Sequence, residues 1–411
     1  MFDELISHLT DFSMLQSSLQ AWLDAFSISS AVMMILACFS VCGLVDKVRG
    51  NKKGYGDKFD EGFAAMGPLA LAVVGIVALS PVLLIVLQPL VTPIYNAIGA
   101  SPAMFPSLLA LDMGGYALAT QMAGSDTAIG LYSGLVVASM MGITICFTIP
   151  FALTMMPKED HRLLALGILV GIITLPIGCL AGGFAMQMTS TPLSWSALLL
   201  NTLPVIVLAA AVAIGLATNQ ALMLRIFASF GNAMTALITI SPVIAIFQYL
   251  TGIELPLFCL MVRPNEALGG IPMEVSLLLV GQIAIVLTGA FPMIHFLNRS
   301  LGAPMQRLGD KIGINTEAST GLLTQLASSI PVWGVINTMN DRGKLFNIAF
   351  AVSGSFVFGD ALAFTGGANP EMVFPVLVGK LTGGILALLL TFALLKAGWI
   401  WTEDTSAIPV Q

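Results

Sequence analysis

Long stretches without a charged residue dominate the hydrophobic pattern of this chain. No Asp, Glu, Lys, Arg or His occurs in residues 62–111, 127–157 or 163–224. A helix needs about 20 mostly apolar residues to cross the hydrocarbon core of a bilayer. Each stretch therefore predicts at least one transmembrane helix, and the longest predicts two.

The charges between these stretches predict a topology. Cytoplasmic loops collect Lys and Arg, so the basic segment 47–58 is placed inside. Residues 1–27 carry acidic side chains but no Lys or Arg, so the N-terminus is placed outside, where it could form an interfacial helix. The C-terminus is then cytoplasmic.

Full crossings at two segments would put Lys158 and Arg162, or Arg342 and Lys344, outside. Hairpins that enter and leave on the same side remove this conflict, although the sequence leaves open whether these segments cross fully. The pattern predicts an all-α polytopic membrane protein with about nine transmembrane helices plus two re-entrant hairpins. The predicted crossings are 28–45, 62–87, 128–156, 161–187, 194–217, 226–250, 271–297, 344–367 and 372–397, and the predicted hairpins are 103–122 and 320–338.

The two halves of the chain resemble each other weakly. When Tyr116 is aligned with Trp333 without gaps, Met122 meets Met339, and GITICFT (142–148) faces GDALAFT (359–365). The predicted topology gives these halves opposite orientations, which is typical of secondary transporters whose sites lie at broken helices near the bilayer midplane. We divide the chain into an acidic extension (1–27), a first membrane repeat (28–187), a connecting span (188–225), a second inverted repeat (226–397) and a tail (398–411).

Composition supports a membrane location. The chain is 57% hydrophobic and 9% charged, with a mean hydropathy of +0.94, which leaves too little polar surface for a soluble globule. The net charge of −6 is spread over short loops and tails and does not suggest a nucleic-acid partner. The five cysteines lack metal-ligand spacing, so we expect no metal site, and nothing indicates a cofactor.

Several strings resemble one known family. They are FDEGFAAMG (59–67), LALDMGGY (109–116), LYSGLVVASMMG (131–142), LPIGCLAGG (175–183) and VGKLTGG (378–384). Together they closely resemble the bacterial ethanolamine permeases, over about residues 30–395. The resemblance implies uptake of ethanolamine across the inner membrane and a functional link to ethanolamine-degrading enzymes. Residues 188–275 resemble the family least.

Carrying ethanolamine as an ammonium cation needs a carboxylate or an aromatic face in the membrane. Intramembrane carboxylates are costly unless they are paired, hydrated or functional, so Asp112 and Asp360 are the leading candidates. The predicted substrate-binding residues are Asp112, Tyr116, Ser329, Trp333, Asn337, Asp360 and Phe364, with Lys380 as a possible charge partner.

Structural interpretations stay open for these residues. Asp360 could form a fixed ion pair with Lys380, and Asp112 could cap backbone amides of a broken helix. Tyr116 and Trp333 could serve only in packing. Asp60 and Glu61 are more typical of helix N-terminal charges than of ligands, and His161 and His295 receive no role.

Other functions remain as alternatives. A carrier or channel for another small amine or amino alcohol fits the same pattern, and the sequence leaves open whether the protein forms a homo-oligomer. An intramembrane aspartyl protease is remote, because Val357 stands where its GxGD motif needs the first glycine. ATP-driven transport lacks a phosphate-binding loop, since Leu381 follows Gly379 and Lys380. We therefore do not expect an enzyme.

Overall fold

The computed structural model describes residues 11–109, 111 and 114–400. Within this part the regular secondary structure is helical, apart from one isolated bridge between Asn265 and Gly270. In chain order the α-helices are α1 Ser13–Asp24, α2 Ile28–Val48, α3 Tyr55–Ala64, α4 Met66–Ala97, α5 Phe105–Leu108, α6 Gly115–Ala123, α7 Thr127–Leu131, α8 Ile149–Met155, α9 His161–Ala185, α10 Trp195–Thr218, α11 Gln220–Thr251, α12 Pro272–Ile312, α13 Thr316–Gln325, α14 Ile330–Val335, α15 Asp341–Ser353, α16 Asp360–Ala368 and α17 Val373–Lys396.

Eight helical stretches of the described residues are long and apolar enough to cross a membrane. Their outward faces carry large apolar side chains, and Leu90, Val207 and Leu278 are each more than 60% exposed. Such a surface suits lipid and not water. The prediction of an all-α polytopic membrane protein is confirmed, while the number of crossings and the internal repeat remain predictions.

The two segments predicted as hairpins each contain two short helices. The first contains α5 and α6, and the second contains α13 and α14. Each is followed by a helix with irregular winding. Residues Tyr132–Gly142 and Thr144–Thr148 are π-helical, whereas α15 and α16 are separated by turns at residues 354–359. The irregular helices are the two that the sequence alignment superimposed.

One helix extends beyond the crossing that the sequence predicts. We expected a crossing at 271–297 followed by a basic loop, but α12 is 41 residues long and ends at Ile312. Its end is set by Gly313, which takes a left-handed conformation with φ 76°. Polar residues can continue a helix when no stop signal intervenes. Arg299, Arg307 and Lys311 therefore lie on the helix itself and not in a loop.

Glycines let α9 and α17 approach each other closely. Gly178 and Gly182 lie one turn apart on α9, facing Gly379 and Gly383 of α17. A Cβ atom at Gly178 would lie 2.8 Å from the Gly379 carbonyl oxygen. In lipid, where little hydrophobic force drives helices together, such small residues permit the backbone contact that holds an interface.

We expect Gly182→Leu to disrupt this interface. A Cβ there would lie 2.6 Å from Cγ1 of Val136 and 2.9 Å from the carbonyl oxygen of Pro375, and overpacking of this kind costs about 1–3 kcal/mol. Thermal unfolding in detergent should show a lower Tm. Gly281→Leu is the control, because a Cβ at Gly281 meets nothing within 4 Å; equal Tm values for the two variants would contradict the close packing.

Candidate functional site

The break between α15 and α16 is stabilised by the second hairpin. The backbone N–H of Phe356 donates to the Gln325 carbonyl oxygen at 2.8 Å, and that of Phe358 donates to the Leu326 carbonyl oxygen at 2.8 Å. Phe356 itself takes φ 62°, which is rare for a bulky residue. Two backbone N–H groups in the break are therefore bonded to carbonyl oxygens of the second hairpin. One acceptor, Leu326, belongs to the hairpin tip (residues 326–329), and the other, Gln325, comes just before it.

Buried amide side chains reinforce this junction. Nε2 of Gln325 donates to Oδ1 of Asn347 at 2.7 Å and to its carbonyl oxygen at 3.1 Å. Nδ2 of Asn347 donates to the Ala318 carbonyl oxygen at 3.0 Å. Both amide side chains are 1% exposed, so these bonds form away from water, where losing one is costly.

Polar side chains also join the π-helical segment to the second half of the chain. Oγ1 of Thr144 donates to the Val352 carbonyl oxygen at 2.5 Å, and Nζ of Lys380 donates to the Ser139 carbonyl oxygen at 2.5 Å. Lys380 is fully buried. A buried ammonium needs acceptors, and the π-helix supplies one of them.

The first hairpin is bonded to the same segment. Oγ of Ser107 lies 2.6 Å from both the carbonyl oxygen and Oγ of Ser133, and Oγ of Ser133 lies 2.5 Å from the Ala103 carbonyl oxygen. Each hairpin therefore contacts the irregular helix that follows it in the chain. Asp112, the first predicted ligand, lies outside the described residues.

Aromatic side chains from the two halves meet at this centre. The rings of Tyr116 and Phe364, both predicted site residues, make an edge-to-face contact with centroids 6.1 Å apart. The Phe147 ring meets Phe356 in the same way at 5.9 Å. Sequence reasoning did not single out Phe356, because its importance comes from the break in which it lies.

Two predicted residues of the second hairpin are buried, and each has a polar atom with no hydrogen-bond partner in the described part of the chain. Ser329 is fully buried and Trp333 is 2% exposed. Neither Oγ of Ser329 nor Nε1 of Trp333 has a hydrogen-bond partner among the described residues. Asn337, by contrast, is exposed beyond the end of α14, so the structure does not bring it together with the other two.

Asp360 begins α16 and lines an open cavity of about 400 Å³. The cavity also touches Ser328 and Pro331 at the hairpin, and reaches Glu61 and His295. The sequence interpretation took Glu61 as a helix N-terminal charge and gave His295, near a loop, no role. Lys58, which pairs with Glu61, also lines the cavity, so the cavity reaches the basic segment.

The chain is similar to several known proteins along most of its length. The family described as "Ethanolamine utilisation protein, EutH" matches residues 28–394. A protein of Listeria monocytogenes named "Probable ethanolamine permease EutH" is 43% identical over 362 residues, covering 88% of this chain and 92% of its own. The Salmonella typhimurium protein of the same name is 39% identical over 388 residues, covering 88% of this chain and 94% of its own.

A third relative carries no functional name. The Bacillus subtilis protein named "Uncharacterized protein YxeR" is 41% identical over 362 residues, covering 88% of this chain and 93% of its own. No solved structure matches the chain. The two named relatives are called permeases and not enzymes, and the predicted family is confirmed: this chain belongs to the ethanolamine utilisation protein EutH family.

Proposed function

We propose that this protein takes up ethanolamine, as its ammonium cation, across the bacterial inner membrane by secondary transport or facilitated passage. The observation that carries the proposal is the position of Asp360, which adjoins a broken helix and lines a cavity. The names of the relatives supply the substrate. Ethanolamine-degrading enzymes, to which the family is functionally linked, would consume the imported amine.

The cation end of the substrate needs a carboxylate that stays ionised in the membrane. Asp360 is the first residue of α16, and the positive end of the helix dipole stabilises a carboxylate there. The Tyr116 and Phe364 rings lie in contact with each other, and α16 carries both Phe364 and Asp360. A ring face one helical turn from a carboxylate can attract the same ammonium group.

The hydroxyl end of the substrate can use polar groups of the second hairpin. Ser329 Oγ and Trp333 Nε1 are buried without a hydrogen-bond partner in the described part of the protein, and Ser328 lines the cavity. A bound alcohol would satisfy one of these groups, which favours Ser329 and Trp333 as its ligands. Asn337 and Asp112 remain sequence predictions. So does the charge pairing of Lys380 with Asp360.

If the mechanism is alternating access, one half-site moves against the other. The second hairpin and the α15–α16 break would form one half-site, and the first hairpin with the π-helical segment the other. With the N-terminus outside and the C-terminus in the cytoplasm, the basic segment is cytoplasmic. The cavity at Asp360 reaches Lys58 of that segment, which favours access to the site from the cytoplasm.

Neutralising Asp360 should strongly reduce transport of the cation. We expect Asp360→Asn to reduce initial uptake of labelled ethanolamine into liposomes by at least about tenfold, because the ammonium would lose its counter-charge in a medium of low dielectric constant. The assay is run at acidic pH, where passive entry of the neutral amine is smallest, with and without sodium or proton gradients.

Asp310→Asn is the matched control for this experiment, since Asp310 is an exposed carboxylate on the extension of α12. Wild-type rates in a folded Asp360→Asn protein would show that its charge does not bind the ammonium. Absence of saturable uptake by folded wild-type protein would instead point to another small amine.

The ring of Tyr116 should matter more than its hydroxyl group. We expect Tyr116→Phe to keep KM for ethanolamine within about threefold, and Tyr116→Leu to raise it roughly 3- to 30-fold, which corresponds to the usual strength of a cation–π contact. Uptake kinetics measure both. An unchanged KM in folded Tyr116→Leu protein would assign Tyr116 to packing alone.

Gly359 should be needed for the shape of the site. A Cβ at Gly359 would collide with the Ala327 carbonyl oxygen, so Gly359→Ala must displace the hairpin tip from the break. We expect it to reduce uptake at least about tenfold, because small displacements of binding groups have large effects on rate. Gly334→Ala, on the same hairpin, meets nothing within 4 Å and should transport normally; equal losses in both variants would contradict this account.

A further inference from the structure

A second cavity, far in sequence from the broken helices, lies where α2 ends and the basic segment begins. Its volume is about 600 Å³. Its lining includes apolar side chains, called here the apolar wall (Val41, Val45 and Phe296), and basic side chains, called here the basic wall (Arg49, Lys52 and Lys53). Asp46 also lines it.

The apolar wall belongs to the lipid-facing surface. Val41 is 58%, Val45 41% and Phe296 44% exposed. Val41, Val45 and Arg49 follow one another at four-residue spacing, which places them along one face at the end of α2. This face changes from apolar to cationic as the chain leaves the bilayer, over about 12 Å at 1.5 Å per residue.

Two side chains hold the loop of the basic wall in place through its backbone groups. Asp46 accepts hydrogen bonds from the backbone N–H of Lys53 at 3.1 Å and of Tyr55 at 2.9 Å. The ring of His295 on α12 lies 3.0 Å, through Nε2, from the Lys53 carbonyl oxygen. The loop that presents Lys52 and Lys53 is therefore fixed against two helices.

The cations of this wall are available for an anionic ligand. Lys47 and Lys58 are paired with Asp60 and Glu61. Among the described residues, no ion pair includes Arg49, Lys52 or Lys53. Asp46 is the one carboxylate among the described lining residues. Its oxygens accept backbone amides and it also interacts electrostatically with Lys53, but against three cations the cavity keeps an excess of positive charge.

The geometry points to a binding site for one anionic phospholipid. The phosphate would contact Arg49, Lys52 and Lys53, and an acyl chain would lie along Val41, Val45 and Phe296. A soluble anion would use only the basic wall, whereas a phospholipid matches both walls at the depth where headgroup and acyl chains meet. Basic pockets beside transmembrane helices bind lipid headgroups in this way.

The test titrates delipidated full-length protein with dioleoyl phosphatidylglycerol or dioleoyl phosphatidylcholine in detergent. Native mass spectrometry counts the lipids bound, and thermal unfolding checks that each variant is folded. We expect one tightly bound phosphatidylglycerol. The triple variant R49Q/K52Q/K53Q should bind it on the order of a hundredfold more weakly, since each surface cation contributes measurably to anionic lipid binding.

The control variant R299Q/R307Q/K311Q removes the same charge from exposed positions on α12 and should bind phosphatidylglycerol as the wild type does. Should the triple variant fail to fold, the single variants R49Q and K52Q replace it, and each must weaken binding several-fold. Equal weakening in test and control variants, equal binding of phosphatidylcholine, or displacement of the lipid by millimolar inorganic phosphate would each overturn the proposal. The last outcome would identify a soluble-anion site.

Discussion

Backbone groups that leave α-helical bonding inside a bilayer must find partners within the protein, and the centre of this molecule is arranged around that requirement. The turns at 354–359 are bonded through Phe356 and Phe358 to the hairpin beside them. The π-helical segment offers the Ser139 carbonyl to Lys380, and Thr144 donates to the Val352 carbonyl. Without these bonds the irregular helices would expose unpaired polar groups, each costing several kcal/mol in hydrocarbon.

Close helix packing makes this arrangement possible. Lys380 follows Gly379, one of the glycines through which α17 contacts α9, and its ammonium group reaches the π-helix from this closely packed helix. Bulky residues at that crossing would move α17 outwards and leave the buried ammonium without the Ser139 carbonyl. The same α17 and α9 backbones are joined by Thr174, whose Oγ1 lies 3.1 Å from the Gly383 carbonyl oxygen. Packing and polar bonding therefore depend on each other.

Much of the fold was predictable because bilayer residence imposes a simple pattern. The uncharged stretches predicted helices that are long and apolar enough to cross a membrane. The conflict in loop charge predicted two hairpins, and both segments contain pairs of short helices, α5 with α6 and α13 with α14. The π-helical winding had no such signal, because a uniformly apolar helix shows no periodicity that distinguishes 3.6 residues per turn from a wider turn. The length of α12 was missed because its charged end was interpreted as a loop.

The sequence by itself determined the environment, the family and the short list of charged and aromatic residues that could meet a cation, since these depend on composition and on strings of neighbouring residues. Only the tertiary structure decided which of them meet. It brought Tyr116 against Phe364, left Asn337 exposed, and placed Glu61 and His295 on the cavity of Asp360. The reason is physical: the partner of a freed carbonyl or a buried ammonium can lie more than 200 residues away, as Ser139 does from Lys380, and no local pattern specifies that distance.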